Sequence, residues 1–500
     1  MADLRTQLRA YVEATIERVD AADVIAARAA APRPVWKRRE WRRPVAIAFG
    51  AAAVVLVLVG GIVLLSRWLG QGQPAVTTTV APTTTLPATT TVPTTTTTTT
   101  VPPTTTTAPG LDPAAAAAWG AFTLILPAED PALFPGGGFG IDDLAANDSL
   151  VVAVGNAMGS SDNYMPDGMI WISTDGLTWE RVWDPDDLAY GGKVVVTVVA
   201  GGPGFVAGGF SCDTEERCSP DGYRAALWTS VDGRDWSRVA LDPELFAGPF
   251  VVTDLLARPS GTLAIATDMT GGGGWALLSS SDGFTWERIW TNNDAGVADA
   301  LAQGDAGLVA IGNESLDTGF EIGAVWTSAD GTEWTRVPHD PAVFGNGQEA
   351  TWNMIDVAAG AAGFVAVGTD GLDAIVWVSP DGVVWERIPH DPATFGGTSM
   401  NNVIAWGGGY LAAGPCDAIS EDLGGPVPGH PSVSSRPTVW VSPDGHTWHR
   451  IGIGEEDAVG EAFGLGRFRG MAIVTGLQGT MMDNQDAIWV NPRPPQPEGE

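Results

Sequence analysis

The side chains able to do chemistry are few and gathered in short runs. Asp184, Asp186, Asp187 and Tyr190 share the stretch DPDDLAYGG (184–192), and a second acidic run, GEEDAVGE, spans 454–461. Carboxylates this close can ligate a hard cation or divide acid and base roles, and their separation in space decides which. A solvated acidic connector needs neither role, and no complete calcium loop is legible around them. His339 and His390 each stand in a PHDP turn. Their recurrence in matching contexts marks a connector feature rather than a unique catalytic base. Cys212 and Cys218 flank five residues of FSCDTEERCSPDG (210–222), with no histidine nearby for a zinc site. Outside the cytoplasm that spacing permits a local disulfide. Cys416 is left over.

Six of the chain's arginines recur at one place in a repeat, W-x-S-x-D-G-x-x-W-x-R. The copies are WISTDGLTWER (171–181), WTSVDGRDWSR (228–238), LSSSDGFTWER (278–288), WTSADGTEWTR (326–336), WVSPDGVVWER (377–387) and WVSPDGHTWHR (440–450). Their aspartates lie 57, 50, 48, 51 and 63 residues apart, the period of a propeller blade. Within one copy, Trp171, Ser173 and Asp175 alternate along an extended segment. Asp175-Gly176 makes a hairpin turn, and Trp179 and Arg181 alternate on the return strand. The turn residues and the second Trp recur as Ser230, Asp232 and Trp236; Ser280, Asp282 and Trp286; Ser328, Asp330 and Trp334; Ser379, Asp381 and Trp385; and Ser442, Asp444 and Trp448. Aspartate can accept amide N–H groups of its own turn, serine does so more weakly, and tryptophan can fill the seam between sheets.

This motif resembles the Asp-box of sialidases and related propellers, S-x-D-x-G-x-T-W, with one residue fewer between Asp and Gly. The resemblance covers about three quarters of the chain through its repeats and implies a β-propeller. In that family the box is a structural turn remote from the catalytic face, so the resemblance says little about activity. A sialidase gathers three arginines on a substrate carboxylate, with a Tyr/Glu nucleophile pair and an Asp acid. Here six arginines belong to the repeat, Arg217, Arg224, Arg234, Arg258, Arg436, Arg467, Arg469 and Arg493 are scattered, and Tyr164, Tyr190, Tyr223 and Tyr410 match no catalytic motif. No catalytic residue carries over.

A second pattern precedes every hairpin: GFVAVG (363–368) and its counterparts at 149–155, 204–209, 261–268, 307–312, 409–414 and 470–476, each after another apolar run. Four strands per blade follow. This strand occurs seven times but the DG hairpin only six, since the last copy stops at AIWV (487–490). The segment FTLILPAEDPALFPGG (122–137) resembles the stretch after each hairpin, such as WERIPHDPATFGG (385–397). It is therefore expected to supply the missing outer strand and close the ring, leaving no free sheet edge. The fold class is all-β, a seven-bladed propeller over 119–492 followed by a tail, 493–500. Its longest loops between second and third strands are expected at 155–169, 209–224 and 414–437.

Residues 45–65 are 21 uncharged residues, enough to cross a hydrocarbon core of about 30 Å. Lys37, Arg38, Arg39, Arg42 and Arg43 precede them, placing residues 1–44, with an amphipathic helix over 3–27, in the cytoplasm. A cleaved leader is the rival reading. The 44 residues before the apolar run and the lack of an A-x-A site count against it. A Thr/Pro-rich stalk, 70–113, holds 20 Thr and 5 Pro within 77–107, a composition that cannot bury a core. Beyond residue 70 the chain carries 15 Lys+Arg against 53 Asp+Glu. That charge disfavours nucleic acid and leaves glycan, cell-wall or protein ligands, besides the membrane reached through one helix. Two lysines against 24 arginines suggest a bacterial source. The reading is a cell-surface binding module, single-pass, needing no cofactor; the alternative is a sialidase-like or other glycan-processing hydrolase.

Overall fold

The computed structural model describes residues 121–491 apart from 126–138, 159–165, 183–192, 213–221, 243–244, 246–247, 270–273, 293–295, 318, 348–349, 415–436, 454–458 and 481–482. They form seven antiparallel blades. The first strands are Phe139–Ala146, Lys193–Gly201, Phe250–Arg258, Val297–Gly304, Asn353–Gly360, Asn402–Trp406 and Val459–Phe468. Each packs against the first strand of the next blade, and the seventh returns to the first. Among the described residues no helix is long and apolar enough to cross a membrane. The candidate span 45–65, the cytoplasmic segment and the stalk lie outside them.

Blade 7 takes its outer strand from the other end of the domain. Thr123–Ile125 pairs antiparallel with the last strand, Thr123 opposite Val490, Leu124 opposite Trp489 and Ile125 opposite Ile488. Phe122 and Leu124 supply part of the apolar filling there that a repeat tryptophan gives elsewhere. Pairing the edge in this way buries backbone groups that would otherwise need another partner.

Tryptophan fills the seams. Trp171, Trp228, Trp326, Trp377, Trp440 and Trp489 are fully buried on the third strands of blades 1, 2, 4, 5, 6 and 7. Each packs into the cluster shared with the preceding blade. Leu278 takes this place in blade 3, so the seam between blades 2 and 3 is filled by a smaller side chain. The neighbouring seam holds the extra aromatic volume, where Trp275 lies 5.4 Å from Trp326, 5.9 Å from Trp334 and 4.7 Å from Trp290. These edge-on and tilted contacts suit the ring quadrupole.

The DG turns are built alike. In all six the Ser Oγ accepts the amide N–H of the turn glycine at 2.8 Å. Those glycines have φ between 76° and 94°, where a Cβ would be strained. The Asp Oδ1 accepts the next amides, as Asp381 does from Val383 at 2.9 Å and Val384 at 2.8 Å. Trp236, Trp286, Trp334, Trp385 and Trp448 each donate Nε1 to the glycine carbonyl three residues back. The turn residues read from the sequence thus form one hydrogen-bonded unit, although in blade 1 the Trp179 Nε1 is buried without such a bond.

Alternating strands place the first-to-second and third-to-fourth turns at one end of the domain. The loops from second to third strands and the connectors between blades lie at the other.

Candidate functional site: carboxylates around the axis

Three aspartates interrupt the apolar first strands at equivalent positions on alternate blades: Asp143, Asp254 and Asp356. In each of these strands the register slips by one residue just before the aspartate. Such a bulge re-aims the side chain that follows it. In blades 1 and 5 the second strand makes room with glycine: a Cβ on Gly155 or Gly368 would collide with the carbonyl of Gly140 or Asn353, whereas blade 3 has Ala266 there.

Each carboxylate spans two blades. One oxygen accepts the amide of the next residue, Leu144, Leu255 or Val357, at 2.7 Å. The other accepts an amide of the following blade: Val198 at 2.8 Å, Leu301 at 2.6 Å and Val403 at 2.7 Å. Thr197 adds its hydroxyl to Asp143 at 3.0 Å. Where blade 6 has Asn402, its amide nitrogen reaches Phe463 O of blade 7 at 2.8 Å, and Thr475 Oγ1 joins blade 7 to Ile141 O of blade 1 at 3.1 Å.

The three acids are half-buried by surface yet enclosed by protein, and desolvation is the main influence on their protonation. It raises Asp143 to about 6 and Asp356 to about 7 against the amides that favour the charged form. Asp254 is raised well above the ordinary range, first by desolvation and then by the charge of Asp356, with a smaller contribution from Asp143. All three stand on first strands, which pack against one another around the ring. A second polar layer flanks them. Asn156 donates to Asp142 at 2.7 Å and Asn313 to Asp299 at 3.1 Å, and burial raises Asp299 to about 7.

Acid/base chemistry needs a carboxylate free to reach substrate, whereas both oxygens of these three are held by amides. Their arrangement ties blade to blade. Among the described residues no group of three or more His, Cys, Asp or Glu is placed to hold a metal ion.

The candidates singled out in the sequence fall elsewhere. Asp184, Asp186, Asp187 and Tyr190 lie outside the described residues, as do Cys218 and Cys416. Cys212 is disulfide-bonded. His339 and His390 precede short helices, Pro341–Phe344 and Pro392–Phe395, whose N-caps Asp340 and Asp391 accept the amides of Ala342 and Ala393. His390 Nε2 lies 3.3 Å from Asp373 Oδ2. Both histidines belong to connectors, as their repetition implied. Two of the expected long loops are shorter, because ladders continue to Met158 and Cys212 and resume at Pro166 and Tyr223. The axial acids escaped the sequence reading. Their trace was an Asp followed by Leu or Val inside an apolar run, in IDDLAA, VTDLLA and MIDVAA.

No family model and no curated protein matches the chain. Solved structures do resemble it. A Trypanosoma rangeli sialidase, in complex with a difluorinated nononic acid, is 13% identical with a TM-score of 0.40, over 71% of this chain and 53% of that one. The match thus spans about half of the sialidase. A Penicillium chrysogenum alpha-L-arabinanase complexed with arabinobiose is 12% identical with a TM-score of 0.39, over 74% of this chain and 97% of that one. A Dyadobacter fermentans protein of unknown function is 13% identical with a TM-score of 0.37, over 73% and 97%. At such identities and TM-scores the likeness goes no further than a general one of fold, and the seven blades are read from the strand order of this chain itself.

Proposed function

We propose that this chain is a membrane-anchored, extracytoplasmic propeller that acts as a binding module at the cell surface. Residues 45–65 form the anchor and the Thr/Pro-rich stalk spaces the domain from the bilayer. The loop end carries the ligand, which is a glycan, cell-wall polymer or protein. The observation that carries this reading is the employment of the arginines. Arg336 lies 5.3 Å from the centre of the Trp326 ring and 2.6 Å from Glu314. Arg387 stacks on Trp352 at 4.7 Å and Arg450 on Trp440 at 5.6 Å, while Arg238 donates to Ser211 at 2.6 Å. Guanidinium groups engaged in packing are not available to clamp a substrate carboxylate.

One observation favours a glycan-processing hydrolase as the second reading. Asp486, in the strand that leaves the loop end of blade 7, is buried with Oδ1 unpartnered, and desolvation raises it to about 8. A carboxyl group still protonated at neutral pH is what a general acid requires. The test uses the full chain in nanodiscs against a cell-wall extract and against fluorogenic glycosides, a sialoside among them. Saturable binding without turnover, lost on altering residues 414–437, supports the module. Turnover abolished by Asp486→Asn establishes the hydrolase.

A further inference from the structure

The turn end of the domain carries a cleft that the loop-end reading does not use. A cavity of about 400 Å³ opens over blade 7 between the first turns of blades 6 and 1, lined by Arg467, Arg469, Asp148, Trp406 and Phe468 among others. Its two guanidinium groups are notable on a domain with 15 Lys+Arg against 53 Asp+Glu beyond residue 70. They are also held differently. Arg469 is fixed: Nε and Nη2 donate to Asp148 O at 3.3 and 3.1 Å, Nη1 to Thr174 O at 3.2 Å, and the group stacks 4.5 Å from the centre of the Phe468 ring. Its backbone, at φ 48°, is the one non-glycine position in the left-handed region among the described residues. With Gly470 at φ 84°, that conformation is the one a two-residue hairpin turn between Phe468 and Met471 requires, so the turn itself sets where the Arg469 side chain begins. Arg467 is exposed and gives one bond, from Nη1 to Ala405 O at 3.1 Å, leaving most of its five donors facing the cleft's solvent.

We propose that this cleft binds an oxyanion carried on a hydroxyl-bearing molecule. Arg467 contacts the anion, Arg469 supplies a second, immobile positive charge, and Asp148 accepts the hydroxyls. A bare anion would meet the Asp148 carboxylate on the rim, whereas a polyol or sugar bearing a phosphate or carboxylate turns that carboxylate into an acceptor. The guanidinium fork fits either oxyanion. Trp406 donates Nε1 to Gly470 O at 3.1 Å, so the floor is set before the ligand arrives.

Titration of the nanodisc-held full chain with a glycerol phosphate oligomer, a glucuronate oligosaccharide and uncharged maltotetraose tests the proposal. At least one anionic probe should bind saturably and more weakly as salt rises. Which one binds tells phosphate from carboxylate. Arg467→Glu should weaken that binding tenfold or more, and Arg467→Lys less, since it keeps charge but loses the fork. Equal thermal midpoints exclude misfolding as the cause, and should Arg467→Glu not fold, Arg467→Gln replaces it. Absence of saturation by both anionic probes, unchanged affinity in the folded variant, or equal binding of maltotetraose would overturn the proposal. Loss of anion binding in Arg467→Glu with cell-wall binding retained supports the cleft as a site separate from the loop-end module.

Discussion

Asp143 and Val198 belong to different blades, yet a carboxylate oxygen of the first lies 2.8 Å from the amide nitrogen of the second. The same bridge recurs from Asp254 to Leu301 and from Asp356 to Val403. Blades are thus coupled in pairs around the axis by groups that are costly to bury charged.

These acids give the domain an unusual pH response. Asp143 is raised to about 6 and Asp356 to about 7, above the ordinary 3.8. A raised carboxylate binds its proton more tightly folded than unfolded, so its stabilising contribution is complete below about pH 4 and is lost as pH rises through 6 to 7. Thermal stability should rise between pH 8 and pH 5, by on the order of a few °C. Asp356→Asn should show a smaller rise over the same interval. A flat or falling midpoint in the parent would reject this role.

Much of the ring was legible in the sequence because each hairpin is local: Ser379, Asp381 and Gly382 bond within five residues, so spacing alone reveals them. Closure could be inferred too, since counting strands left one position vacant. The axial acids were harder to see, because Asp143 meets its partner Val198 after 55 residues and only on closing a seam. Trp275 was hidden for the same reason. Its neighbours Trp326 and Trp334 lie in the next blade.

The turn aspartates respond in the opposite pH range. Asp175 is lowered to about 2, chiefly by the Thr178 and Leu177 amides, and Asp381 is lowered by Val384 and Val383. A depressed carboxylate contributes stability above its unfolded value and loses it as pH falls from about 4. Asp381→Ala should cost about 1 kcal/mol at pH 7 and less at pH 2.5. Denaturant titrations at the two pH values check both the size and the direction. Ligand binding at the loop end should not change.

The proposed topology rests on the basic cluster before residue 45. Protease added to intact protoplasts should remove the propeller and spare the N-terminal segment. Peptides recovered from the released domain should contain Cys212 linked to Cys218. Protection of residues 121–491, or Cys218 alkylated without reduction, would count against the respective assignment.

Ring closure rests on three residue pairs, with Leu124 opposite Trp489 at their centre. A chain beginning at residue 112 retains the strand Thr123–Ile125, and one beginning at residue 140 lacks it. Without that strand the last strand of blade 7 presents unpaired amides and carbonyls, and Trp489 loses cover from Phe122 and Leu124. The shorter chain should melt at lower temperature and self-associate through its open edge. Leu124→Pro in the longer chain should reproduce part of the loss, since proline cannot donate to the ladder. Equal melting temperatures for the two truncations would show that the seventh blade holds without its borrowed strand.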